Sequence, residues 1–241
     1  MKVLGLCLVA GLSVSGCVSI TNNGLPMGGI EDIIEGNTGP IVTQYPVETA
    51  LLNIYTRSRS ETLYAVEDDQ QIVSEIRVTP KGVMSFDGKS LQAAETSYVI
   101  TSNEGSFNES ASTNFFTLNP VRFYGFTNDS GEYSIANQTT TMPKIAKIGD
   151  SSALITENVY SDSSKRKLID KFSQAWSLSQ ASRNTAWFCM NTSGNLLLDS
   201  QAADVSSHCY KINAKGDLLD SKLTLSEPTN NGVKTITYTR K

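Results

Sequence analysis

The chain has 241 residues, with 20 Lys+Arg against 24 Asp+Glu, a formal net charge of −4, one histidine and four cysteines. An acidic chain without a long basic block lacks the electrostatic footprint of a nucleic-acid binder. A single imidazole also leaves little room for histidine-rich metal or acid–base chemistry.

Met1 and Lys2 precede a nearly unbroken apolar run from Val3 to Val14. That run is shorter than the about 20 residues a helix needs to cross a bilayer. A short basic start before an apolar segment of this size is the pattern of a secretory signal. The run leads into Val14-Ser15-Gly16-Cys17, which resembles the lipobox of bacterial lipoproteins: an apolar residue, two small ones that fit a peptidase, then the cysteine. The resemblance implies removal of residues 1–16, diacylglycerol on the Cys17 sulfur and often a third chain on the new amine. Two or more acyl chains hold a protein stably at a membrane where one does not. Val18 stands where enterobacterial lipoproteins retained in the inner membrane carry aspartate. By that resemblance the protein belongs to the outer membrane and faces the periplasm.

Cys7 lies in the signal and Cys17 is committed to lipid, which leaves Cys189 and Cys209 as a pair in an oxidising compartment. A bridge between them would contribute about 3 kcal/mol by loop entropy. Cys189, His208 and Cys209 lack the spacing of a metal site, so neither metal nor other cofactor is expected.

Residues 17–45 read as the lipidated N-terminus and a Gly-, Asn- and Pro-rich tether, with Ile30, Ile33 and Ile34 as a small apolar foothold. A single β-rich globular domain is expected over 46–241. It opens on a helix: Pro46 suits the first helical position, Glu48 the positive end and Arg57 the other. Val47, Ala50, Leu51, Ile54 and Tyr55 form its apolar stripe.

The period then changes to two. Ile72, Ile76 and Val78 share one face of "QIVSEIRVT", and short strands follow in "VMSF", "TSYVITS", "RFYGFT" and "YSIAN". Pro80-Lys81-Gly82, Asp87-Gly88 and Asn128-Asp129-Ser130-Gly131 are turn signals. The second half continues with "ALITENVY", "AWFCMN", "HCYKINA", "LLDSKLTLS" and "VKTITYT", with turns at Lys215-Gly216-Asp217 and Asn230-Asn231-Gly232. The segment over 165–180 fits both periods. Leu168, Ile169, Phe172, Ala175 and Trp176 make a helical stripe; Leu168, Phe172, Trp176 and Leu178 make a strand face. Lys165, Arg166 and Lys167 at its start oppose a helix dipole and favour the strand.

These elements predict a mainly β (α+β) domain: an antiparallel curved sheet, half-barrel or sandwich, with one N-terminal helix. A sheet of this size must curl, close or pack on another layer. At the level of architecture only, this resembles the lipoprotein carriers of the LolA/LolB kind.

No nucleophile elbow, phosphate loop or His-Glu-x-x-His is present. Gly149-Asp150-Ser151-Ser152 is superficially similar to the GDS block of one esterase family, but it lies mid-chain, and Asp204 and His208 have the wrong spacing for its partner motif. Asp68-Asp69 reads as a solvated turn. Phe115, Phe116, Phe123, Tyr124 and Phe126 are dense enough to build a core or, with Trp176, to line an apolar pocket. The sequence therefore predicts a non-catalytic, lipid-anchored envelope protein that binds an envelope partner or an apolar ligand. Its alternatives are an acyl-chain carrier and an envelope hydrolase without a recognisable motif.

Overall fold

The structure is a computed structural model that describes residues 40–67, 69–102, 107–194, 205–229 and 232–241. Cys17, the signal segment and the tether up to residue 39 lie outside the described residues. Residues 40–241 cluster as one compact unit. Its first elements are β1 (Gln44–Tyr45), α1 (Val47–Thr56), β2 (Arg59–Glu67), β3 (Gln70–Phe86), β4 (Lys89–Ser102), β5 (Phe107–Leu118) and β6 (Val121–Asn128). There follow β7 (Tyr133–Thr139), β8 (Ala146–Lys147), β9 (Ser151–Tyr160), β10 (Leu168–Ser182), β11 (Thr185–Ser193), β12 (Val205–Asn213), β13 (Leu218–Thr229) and β14 (Gly232–Thr239).

The expected antiparallel sheet with one helix is present, and the sheet closes on itself. Twelve strands form a barrel in which nearly every strand pairs with its neighbours in sequence, β14 returning to β2 and β7 passing to β9. Closure removes both sheet edges, which an open antiparallel sheet of this width would leave exposed. The last joint is slender: β14 meets β2 through a single register pair, Thr239 with Tyr64. The excursion between β7 and β9 carries β8, which pairs with β1 outside the barrel sheet.

Alternation along each strand sorts the side chains. Phe172, Trp176 and Leu178 of β10 are buried with Phe188 and Met190 of β11 and Tyr210 and Ile212 of β12. The segment over 165–180 is thus a strand, from Leu168 to Ser182, although Leu168 itself is exposed. The outer wall carries Glu75, Arg77, Glu95, Lys211 and Lys222, with hydroxyl pairs Thr224–Thr237 and Ser226–Thr235 across β13 and β14. Lys222 lies over the Trp187 ring at 4.5 Å and Lys241 over Tyr64 at 4.2 Å.

Helix α1 closes one end. Val47, Ala50, Leu51 and Ile54, the predicted stripe, are buried against inward residues including Phe116, Phe123, Phe188 and Ile212. Pro46 is its N-cap, one position before the predicted place. Asn53 Nδ2 donates to Gly216 O at 2.9 Å, fastening the helix to the β12–β13 turn.

Pro80-Lys81-Gly82 is not a turn. It is a register shift inside the 17-residue β3, where Gly82 at φ +72° supplies the positive φ of a bulge. Beyond it the β3–β4 hairpin packs on the outer face of β5–β7, Phe86 stacking on Phe115 at 4.1 Å and Tyr133 at 5.0 Å. Asp87-Gly88 makes the predicted tight turn, both residues at positive φ.

Candidate functional site

A twelve-stranded barrel encloses more space than one helix and its aromatic neighbours can fill. The remainder is a cavity of about 1290 Å³. Its floor is Ile54 and Tyr55 of α1. Its walls include Thr96 and Tyr98 of β4, Asn108, Ser110, Ser112 and Asn114 of β5, Phe123 and Phe126 of β6, Glu157 of β9, Phe172 and Gln174 of β10, and Thr192 of β11. Apolar groups dominate near the helix, and amides and hydroxyls dominate the β5 wall.

One wall is built around a buried carboxylate. Glu61 of β2 is 5 % exposed. Arg59 Nη1 lies 3.1 Å from its Oε1, Ser221 Oγ donates to Oε2 at 2.6 Å, and Arg240 Nη2 donates to Oε2 at 3.3 Å. Arg59 Nη2 also donates to Tyr210 Oη at 2.6 Å, and that hydroxyl lies 2.9 Å from His208 Nδ1. Because a guanidinium only donates, Tyr210 accepts from Arg59 and has its own hydrogen for Nδ1. His208 is then protonated on Nε2, which stands 3.2 Å from Glu61 Oε1.

Burial by itself would raise the Glu61 pKa. The His208 imidazole, Arg59 and Ser221 outweigh it and hold the carboxyl at about 2. Burial pushes His208 down, so it is neutral at pH 7 and the arginines carry the compensating charge. Burial also pushes the Tyr210 hydroxyl far up, and Tyr98 to about 12. The network ties β2 to β12 and β13.

The second buried carboxylate is different. Glu157 is 4 % exposed, accepts from Ser134 Oγ at 2.7 Å, and has no cation within ion-pair distance among the described residues. Burial pushes its pKa up to about 7.

Of the residues singled out from the sequence, Cys189 and Cys209 are joined by a disulfide between directly opposed positions of β11 and β12, with Cα atoms 3.9 Å apart. The bridge lies on the outer wall, whereas their neighbour His208 points inward. The aromatic cluster divides: Phe123 and Phe126 line the cavity, Phe116 and Trp176 fill the core, and Phe115 and Tyr124 pack outside. Gly149-Asp150 is a turn, with Lys147 N donating to Asp150 Oδ2 at 2.7 Å. No group of metal-ligating side chains occurs among the described residues. Sequence reasoning passed over Arg59, Glu61, Glu157 and Tyr210. The available signal was a charge on the apolar parity of a strand, as in Ile155-x-Glu157-x-Val159.

Comparison with protein-family models, curated proteins and solved structures finds no match.

Proposed function

We propose that the protein is a non-catalytic binding component of a bacterial envelope, anchored through lipid on Cys17 to the outer membrane and facing the periplasm. Its barrel holds a small or medium-sized molecule. The observation that carries the reading is the cavity of about 1290 Å³ between α1 and the barrel rim. Ligand sites are commonly apolar enclosures of about 300–1,000 Å³ with a few placed polar groups. The β5 wall of Asn108, Ser110, Ser112 and Asn114 favours a ligand with polar surface over a bare acyl chain. Glu61 is occupied by arginines, which disfavours a paired-carboxylate hydrolase.

Native mass spectrometry of the full-length protein, purified in mild detergent, tests the binding role. The expected result is a stoichiometric small-molecule adduct that is weakened in Ser112→Trp, where an indole projects into the cavity from the β5 wall. An adduct undiminished in that variant, or none in the parent, contradicts the role. Fractionation tests the anchor separately: Cys17→Ser is expected to leave an unprocessed or soluble product, and membrane association identical to the parent without precursor refutes it.

A further inference from the structure

The two buried carboxylates of this barrel are treated unequally. Glu61 has two arginines, a serine hydroxyl and an imidazole around it. Glu157, no more exposed, has one serine hydroxyl and, among the described residues, no cation at ion-pair distance. A buried carboxylate without a counter-charge is costly, by several kcal/mol in general, unless it takes a proton or a cation from elsewhere. Its Oε2 is held by Ser134, and its side chain lines the cavity.

What surrounds Glu157 narrows the choice. Phe172 is its partner in register on β10, and Phe126 of β6 lies edge-on to Phe172 with ring centroids 6.0 Å apart. Ile155 and Val159 flank it along β9. Aromatic faces beside a carboxylate suit an organic cation, which gains from both the charge and the ring quadrupole. A small metal ion would want several oxygen ligands, and one carboxylate does not supply them. The cavity rim adds Glu109, Asp129, Glu132 and Asp170 against Lys171, a bias that draws cations inward.

Resting on the binding role proposed above, we infer that the cavity recognises a ligand bearing an amine or quaternary ammonium group on an apolar body, with Glu157 as its counter-ion and Phe126 and Phe172 as its aromatic walls. Tyr55 of α1 is electrostatically coupled to both Glu157 and Arg59, and β7 presents Ser134 to the carboxylate; Arg59, Asp170, Lys171 and His208 line the same cavity. Burial pushes the Glu157 pKa up to about 7, and a bound cation would favour its charged form.

The test uses the full-length protein in a non-ionic detergent and three short probes titrated calorimetrically at pH 8: hexyltrimethylammonium, hexanol and hexanoate. The expected result is strongest binding of the ammonium probe, a loss of about tenfold or more in Glu157→Gln, and little change for hexanol. Phe172→Leu should weaken the ammonium probe selectively, which separates cation recognition from general packing. Equal ammonium binding by parent and Glu157→Gln, or preferred binding of hexanoate, overturns the inference while leaving a binding cavity intact. Binding of none of the probes, together with no adduct on the purified protein, overturns both readings.

Discussion

Arg240 Nη2 donates to Glu61 Oε2 at 3.3 Å and joins residues 179 positions apart across the barrel's closing joint. The joint has one register pair between β14 and β2. Glu61 ties β2 to Ser221 of β13 and to the segment after β14, while Arg59 ties it to Tyr210 of β12. Side chains here supply what the backbone ladder does not.

Removing the carboxylate should therefore open the joint. Glu61→Ala is expected to cost about 3–5 kcal/mol, because it leaves a buried arginine without its counter-charge. Arg240→Ala, whose side chain is 46 % exposed, should cost no more than about 1 kcal/mol. Urea denaturation of the two variants checks this; equal midpoints would show that the network does not close the barrel.

Glu157 should make stability fall as pH rises. Its carboxyl has a pKa of about 7 in the folded chain against an ordinary 4.5, so between these values the folded state keeps a proton that the unfolded state gives up. The resulting loss is absent below 4.5, grows through the window and levels off above 7, reaching roughly 3 kcal/mol. Glu157→Gln removes the charge to be buried. It should match the parent near pH 4 and exceed it at pH 8, measured by denaturant midpoints. A difference independent of pH would mean that Glu157 does not titrate in this way.

Gly125 of β6 lies close against the β7 backbone at Ser134. A Cβ there would come within 2.1 Å of Ser134 O and 3.0 Å of the Phe86 ring, at a φ of +144° that other residues rarely adopt. Gly125→Ala should cost at least about 2 kcal/mol, against about 1 kcal/mol for Gly82→Ala, which meets nothing within 4 Å. Thermal melting of both variants ranks them, and the reverse order would contradict the close packing of the outer hairpin.

The Cys189–Cys209 bridge closes a separation of 20 residues. Replacing both cysteines by alanine should lower stability by about 3 kcal/mol while leaving the fold intact, since both sulfurs sit on an outer wall already paired in register. Thiol labelling of the unreduced, denatured parent should find neither Cys189 nor Cys209 labelled. Two labelled sulfurs would remove the bridge.

The strands easiest to read in the sequence were those with a filled interior behind them. Phe188, Met190 and Trp176 alternate with polar residues because one face meets core and the other water. β2 and β5 gave no such signal. Polar side chains take part of their inward faces, Arg59 and Glu61 ahead of Leu63 and Ala65 on one, and Asn108, Ser110, Ser112 and Asn114 ahead of Phe116 on the other, because these stretches face a cavity and a polar network. The residues that best define the candidate site are the ones that erased the alternation of the strands carrying them.

Local chemistry in the sequence determined the helix stripe from Val47 to Tyr55, the Asp87-Gly88 turn and the pairing of Cys189 with Cys209, and it favoured a strand over a helix for β10 without deciding between them. Each depends on periodicity, backbone preference or elimination among a few cysteines. Tertiary structure alone decided that the sheet closes, that Pro80-Lys81-Gly82 is a bulge, and that Glu61 meets Arg240 while Glu157 meets no cation among the described residues. Those facts depend on the number and tilt of strands around a ring, which place residues far apart in sequence on facing walls and leave space between them.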